Sequence, residues 1–255
     1  MQVLSRGLHI LCQFTAKEPA LSLSELGRRT GLHRATVFRF VKVLQEEGFL
    51  TMDAATGLYR VGPAWAAALF MLGGNSILTE ILNRDLQALA ETTGEAVSLS
   101  VRKGDQIQMI SVVSTSSGFV PTLPPGPFVP LSEHALVHAR IHLAYSDEET
   151  RRRMTAVPAI THTESTVTDP AEIEARLTKE AAEGIAYSRD AYKRGASAVA
   201  VPIFSQGTVV AALGLVVPTE RFDAKVDEYS RELRAAAAEM GRRLDEEFKP
   251  AITKP

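Results

Sequence analysis

The chain has 255 residues, of which 45% are hydrophobic, and a formal net charge of −2. This length and composition predict two globular domains, each with a sizeable core. The single cysteine excludes an internal disulfide and a cysteine-rich zinc site, and it fits a reducing cytosol, so we expect a cytoplasmic protein.

A helix is predicted first. Apolar residues recur from Val3 to Phe14 at helical spacing and would contribute to a small core. Cys12 lies among these apolar residues, so we expect it to be buried. Arg6 and His9 interrupt the apolar run, which argues against a secretion signal.

Two helices joined by a tight turn are predicted between residues 21 and 50. Ser22 followed by Glu25 is typical of a capping box, in which the serine accepts a hydrogen bond from a free amide and the glutamate reaches back. Gly31 follows two arginines and a threonine, as is typical of a helix C-terminus. The second helix is predicted from about His33 to Glu47, with one apolar face. That face consists of Val37, Phe40, Val41 and Leu44.

The opposite face of the second helix suits DNA. A helix fits the major groove, and its first turns approach the base edges most closely. Arg34 and Arg39 can reach phosphates or guanine, whereas Phe38 can touch a thymine methyl or simply pack. The alternative is a two-helix packing unit with a solvated basic face. The predicted DNA-binding residues are Ser24, His33, Arg34, Ala35, Thr36, Phe38, Arg39, Lys42, Tyr59 and Arg60.

A hairpin follows the two helices. Phe49–Met52 and Leu58–Val61 read as short strands around a loop that ends in Gly57. Helix, turn, helix and hairpin together predict a winged helix over residues 1–62, with Tyr59 and Arg60 placed to meet phosphates. This module holds 8 Lys and Arg against 5 Asp and Glu, a balance of only +3. Phosphate binding by one copy would be weak, which favours a dimer or larger assembly.

Residues 63–75 are predicted to form a linker helix. Pro63 can open a helix, and the apolar run Ala64–Leu72 is too hydrophobic to stand alone in water. This run is far shorter than the roughly 20 residues that span a bilayer, so no membrane partner is expected. The linker either packs within the chain or packs against its copy in a second chain, which we favour.

Residues 76–250 read as one α+β domain with paired antiparallel strands and helices at both ends. A loop rich in proline and glycine is expected at Gly118–Pro130. Helices are predicted at Ile77–Thr93, Ser132–Tyr145, Ala171–Glu183 and Asp223–Phe248. Strands are predicted at Ala96–Arg102, Gln106–Val113, Ser197–Phe204 and Val209–Val217.

Two parts of the chain resemble one family. Val3–Pro63, with Thr30-Gly31-Leu32 inside it, resembles the DNA-binding domain of the IclR family of bacterial transcription regulators. The segment Ser197–Phe204, followed by Gly207–Pro218, resembles the end of that family's effector domain. The resemblance implies a GAF-like effector domain on a winged helix, and dimers that often pair as tetramers on palindromic or repeated operators. It also implies a small organic ligand that changes the outcome of DNA binding.

The chain departs from the family pattern where such proteins hold their ligand. His138 stands where lysine is usual, Ser188 takes an acidic position, and smaller or apolar residues replace polar ones in the last strands. These changes remove hydrogen-bonding groups and make the surface of the predicted ligand pocket more apolar, so the predicted effector is apolar or aromatic. The predicted effector-binding residues are His134, Ala135, Leu136, His138, Tyr187, Ser188, Asp190, Ala198, Gly214 and Val216.

An alternative to effector binding is a metal site formed by His134, His138 and His142, which lie at positions i, i+4 and i+8 of a predicted helix. Two such histidines can chelate a metal, but the outer pair would lie about 12 Å apart, too far for one ion. We therefore predict no metal and no other cofactor, a pocket position for His134 or His138, and a surface position for His142. The chain lacks a Gly-x-Ser-x-Gly motif and a glycine-rich phosphate loop, so we predict that it is not an enzyme.

The predicted function is regulation of transcription by binding double-stranded operator DNA as a homodimer or dimer of dimers. Repression is favoured because a dimer on a promoter needs no further contact to block transcription. A small organic effector is expected to close the loop at Gly118–Pro130 and reorient the linker. The alternatives are an activator of the same family and a ligand sensor that does not bind DNA.

Overall fold

The computed structural model describes residues 2–15, 18–65, 76–114, 124–126 and 128–247. These divide into an N-terminal unit that ends at Ile77 and a C-terminal unit from Leu78 to Glu247. Beyond Trp65 the predicted linker helix lies outside the described residues, as does most of the predicted loop at Gly118–Pro130. Within the described ranges, no helix is long and apolar enough to cross a membrane.

The N-terminal unit is a winged helix, as predicted. Its elements are α1 (Gln2–Leu11), β1 (Ala20–Leu21), α2 (Leu23–Thr30), α3 (Arg34–Glu46), β2 (Leu50–Met52) and β3 (Tyr59–Val61). The three strands pair antiparallel in the order β1-β3-β2. The sequence did not predict β1, since two residues are too short to show strand periodicity. Cys12, just after α1, is exposed, so the prediction that it is buried was wrong.

The C-terminal unit is a six-stranded antiparallel sheet in the order β6-β5-β4-β9-β8-β7. Helices cover both of its faces, which confirms the predicted α+β class. Its helices are α4 (Ser76–Thr93), α5 (Val137–Ala144), α6 (Glu148–Thr155), α7 (Pro170–Glu183) and α8 (Thr219–Glu247). Its strands are β4 (Ala96–Lys103), β5 (Gln106–Val113), β6 (Phe128–Pro130), β7 (Ala186–Lys193), β8 (Ala196–Ser205) and β9 (Thr208–Pro218).

The two faces of the sheet carry side chains of different size. Toward α4 and α8 the central strands present large apolar residues such as Leu99, Val201 and Leu215, which form the main core. Because side chains alternate along a strand, the other face presents small residues such as Ser100, Ala200 and Ala212. These small residues give α5 room to lie close to the sheet.

Four elements of the C-terminal unit differ from the sequence prediction. The predicted loop at Gly118–Pro130 ends in strand β6, and helix α6 was not predicted. Helix α5 and strand β7 differ for identifiable reasons. The helix predicted from Ser132 begins only at Val137, because the preceding residues form turns. Side chains hold those turns, since Arg140 donates to the carbonyl of His134 and Ser188 to that of Ala135. Strand β7 was not predicted; it is a sheet edge rich in charged residues, which weakens the apolar alternation.

Candidate functional site

The termini of α2 fix the helix-turn-helix geometry. Ser22 Oγ accepts a hydrogen bond from the amide of Glu25 at 3.1 Å. Gly31 ends the helix with φ +70°, a conformation that favours glycine. The Glu25 carboxylate does not complete the predicted capping box, because it accepts hydrogen bonds from Arg28 and Arg29 instead. The hydrogen bond of the Ser22 cap was therefore predicted correctly, whereas the predicted return hydrogen bond to the Glu25 carboxylate was wrong.

Helix α3 turns one face to the core and the other to solvent. Val37 and Val41 are buried in the core of the unit. Phe38 is 52% exposed, which fits contact with a thymine methyl better than the packing alternative. Thr36 is half-buried. The predicted DNA-binding residues that are exposed are Ser24, His33, Arg34, Ala35, Phe38, Arg39, Lys42 and Arg60.

Tyr59 corrects the predicted DNA-binding set. Its side chain is only 7% exposed and belongs to the core of the N-terminal unit. Strand β3 lies between β1 and β2, so alternate side chains face the helices and the solvent. Tyr59 faces the helices and Arg60 faces solvent. The prediction that Tyr59 meets phosphates was wrong, whereas Arg60 stays a candidate.

A cavity in the C-terminal unit contains Ser188 and opens between the sheet and the start of α5. We call it the Ser188 cavity, and its volume is about 60 Å³. Six residues of the predicted effector site line it: Ala135, Leu136, His138, Ser188, Ala198 and Val216. The sequence prediction missed Ser98, Met109, Val137, Tyr192, Lys193, Ala196 and Ser197. Only Ser98, Met109 and Ser197 had a signal in the sequence, and a weak one, since they lie in predicted strands.

Tyr187 and Asp190, which the sequence analysis placed in the effector site, do not line the Ser188 cavity. Tyr187 alternates with Ser188 along β7, so it faces the other side of the sheet, where its hydroxyl lies 3.0 Å from that of Ser230. Asp190 accepts hydrogen bonds from the Gly195 amide at 2.8 Å and the Thr219 hydroxyl at 2.6 Å. Its carboxylate therefore closes the turn between β7 and β8 rather than facing the cavity.

His134 and Gly214 also lie outside the cavity lining. His134 is buried, burial lowers its pKa, and its carbonyl accepts from Arg140. Gly214 contributes by lacking a side chain, because a Cβ at that position would lie only 2.7 Å from Nε2 of His138. Gly214 therefore makes room for the imidazole that lines the cavity.

Two buried histidines form a hydrogen-bonded chain with two serines of β4. His138 Nε2 lies 2.8 Å from Ser98 Oγ, and its Nδ1 lies 2.9 Å from Ser100 Oγ. Ser100 Oγ lies 3.1 Å from Nε2 of His142. His142 is only 4% exposed, so its predicted surface position was wrong. Burial lowers the pKa of His138 to about 3 and that of His142 to about 4, and both rings are neutral at pH 7.

Of the residues that line the Ser188 cavity, Lys193 carries the cationic side chain. It is exposed, and no carboxylate pairs with it in the described parts of the chain. The remaining lining is mainly apolar or weakly polar, and His138 is neutral. The arrangement can hold a small carboxylate with an apolar body. No group of three histidine, cysteine or acidic side chains suited to a metal occurs among the residues searched, which were those described.

Comparisons with known proteins agree for both units of the chain. The IclR helix-turn-helix domain matches residues 3–54, and the bacterial transcriptional regulator IclR C-terminal domain matches residues 74–242. The HTH-type transcriptional regulator Rv1719 of Mycobacterium tuberculosis is 28% identical over 240 residues, covering 93% of this chain and 88% of that protein.

Solved structures give the same result for the fold. An IclR-family regulator from Rhodococcus sp. is 26% identical with a TM-score of 0.74, covering 94% of this chain and 92% of that one. An IclR homolog from Microbacterium hydrocarbonoxydans, complexed with 4-hydroxybenzoate, is 23% identical with a TM-score of 0.65 and covers 96% and 99%. These structures contain both units of the fold.

Proposed function

Since this chain belongs to the IclR family of bacterial transcriptional regulators, we propose that it is a repressor controlled by a small organic acid with an apolar or aromatic body. The family consists of DNA-binding regulators of transcription and not of enzymes. The mainly apolar Ser188 cavity, with Lys193 as its unpaired cation, carries the effector part of this proposal.

We propose that α3 reads the operator and that two or more copies bind together. The exposed Arg39 and Lys42 lie on the face of α3 opposite its buried valines, and the exposed Arg34 is the first residue of the helix. A balance of +3 on residues 1–62 is small for a lone DNA-binding module, which supports binding as a homodimer or dimer of dimers. In this proposal residues 1–62 bind DNA, 63–75 link, and 76–250 bind the effector.

Replacing Arg39 with alanine is expected to weaken operator binding by about tenfold or more, since one side chain that reaches bases or phosphates is lost. The measurement is a mobility-shift titration with DNA from upstream of the protein's own gene, repeated over a range of salt concentrations. The matched control is Arg28→Ala, which removes an exposed arginine of α2 and should change affinity little. Equal operator affinity of wild type and Arg39→Ala would exclude α3 as the helix that contacts the operator bases. Absence of specific binding by wild type would overturn the proposed repressor.

The size of the Ser188 cavity restricts its ligand. An apolar cavity that takes benzene has a volume of roughly 150 Å³, well above the 60 Å³ seen here. A short branched carboxylate therefore fits with small shifts, while an aromatic acid requires the walls to part. Two-carbon acids offer too little apolar surface to gain much from Met109, Leu136 and Val216.

Lys193→Gln is expected to weaken binding of such an acid about tenfold, because the carboxylate loses its charged partner. The measurement is calorimetric titration with benzoate, 4-hydroxybenzoate and isovalerate, alongside glyoxylate and pyruvate. Lys225→Gln, which removes an exposed lysine of α8, is the matched control. The corresponding carboxamides should bind wild type and Lys193→Gln alike. Selective binding of glyoxylate or pyruvate would rule out the apolar effector.

A further inference from the structure

A second cavity lies at the opposite end of α5 from the Ser188 cavity. We call it the Arg102 cavity, and its volume is about 270 Å³. Its lining consists of Arg102, His142, Tyr145, Phe204, Gly207, Thr208 and Val209. We propose that it is a second ligand site, which takes a small aromatic carboxylate.

The charge in this cavity favours an anion. Arg102 is held in place because its Nε donates to the Gly104 carbonyl and its Nη1 to Ser146 Oγ, both at 2.7 Å. Its Nη2 makes no hydrogen bond, and no carboxylate pairs with the guanidinium, within the ranges that the structure describes. Asp105 is engaged elsewhere, since it binds Arg153. A fixed guanidinium with a free edge is suited to a carboxylate.

The walls of the cavity favour an aromatic body. Tyr145 and Phe204 pack edge to face with ring centroids 5.3 Å apart. Phe204 is 42% exposed, so part of its ring is open to a ligand. The Tyr145 hydroxyl donates to the Ala181 carbonyl, which fixes that ring. At 270 Å³ the cavity is large enough for a benzoate-sized molecule without movement of the walls.

The second site is tested by calorimetry with 4-bromobenzoate on the full chain without DNA, followed by location of the bromine by anomalous diffraction. Wild type should bind two equivalents per chain, with one bromine between Arg102 and Phe204. Arg102→Gln should weaken that equivalent tenfold or more and leave the other unchanged, while Arg152→Gln, which removes an exposed arginine of α6, should keep both. No bromine beside Arg102 overturns the second site; loss of only the Lys193-dependent equivalent counts against the effector cavity instead.

Discussion

Replacing Arg140 with methionine is expected to lower the free energy of unfolding by about 3–5 kcal/mol at pH 7. Arg140 is only 2% exposed, and its Nε donates to both carboxylate oxygens of Glu180, at 2.9 and 3.1 Å. Its Nη1 and Nη2 donate to the carbonyls of His134 and Tyr187 at 2.7 and 2.5 Å. The substitution leaves a buried carboxylate and two carbonyls without partners, which accounts for the size of the loss.

Urea unfolding followed by far-UV circular dichroism measures this loss. The control is the double variant Arg140→Met with Glu180→Leu, which should recover much of the stability because no buried charge remains. Burial already raises the pKa of Glu180, and removal of the cation would raise it further. A raised folded-state pKa lowers stability as pH rises through it, so the deficit of Arg140→Met should widen from pH 5 to pH 8. A loss below about 1 kcal/mol, or one equal in the double variant, would contradict the role given to Arg140.

The same arginine also shapes the Ser188 cavity. The two carbonyls that it binds flank cavity residues, since His134 precedes Ala135 and Tyr187 precedes Ser188. Arg140 thereby ties the turn before α5 to strand β7. We expect weaker effector binding in any variant at this position that still folds.

No local pattern identified Arg140 as a core residue. Arginine in a predicted amphipathic helix normally faces solvent, and Glu180 lies 40 residues away on another helix. The pairing becomes visible only when α5 and α7 are packed together. His142 was misplaced for the same reason, because a short helix with the whole of its surface buried has no polar face to reveal its orientation.

The N-terminal unit was predicted more fully because its signals are local. Ser22 and Gly31 mark the ends of a helix within a few residues, and the apolar positions Val37 and Val41 fix which face of α3 is buried. The cavity of the C-terminal unit instead depends on strand register, and a shift by one residue exchanges the two faces. Tyr187 and Ser188 illustrate this, since neighbours in sequence lie on opposite sides of the sheet.

Acidification from pH 7 to pH 5 is expected to lower the free energy of unfolding by about 4 kcal/mol through His138 and His142 alone. Their pKa values of about 3 and about 4 lie below the ordinary value of about 6.5, so the unfolded chain takes up protons first. Their stabilising contribution is complete above the unfolded pKa and is lost as pH falls toward the folded values. At pH 5 each has lost about 2 kcal/mol, and buried His134, whose pKa is also lowered, adds to the loss.

Urea midpoints at pH 7, 6 and 5 measure this dependence. The pH range in which stability is lost distinguishes the histidines from the carboxylates. Groups such as Asp105, whose pKa its bond with Arg153 lowers, lose stability only at more acid pH. The double variant His138→Gln with His142→Gln should lose most of the slope between pH 7 and pH 5, and an unchanged slope would contradict the buried, neutral state of these rings.

That neutral state has a consequence for ligand recognition. Because His138 remains uncharged from pH 7 to well below pH 5, it contributes a hydrogen bond to the Ser188 cavity but no positive charge. The charge available to a carboxylate therefore comes from Lys193. Effector affinity should then stay constant between pH 8 and pH 6, because His138 stays neutral and the carboxylate of the ligand stays ionised over this range, while stability begins to fall at its acid end. Calorimetry at pH 8, 7 and 6 separates the two, and affinity that rose as pH fell would assign the charge to His138 instead.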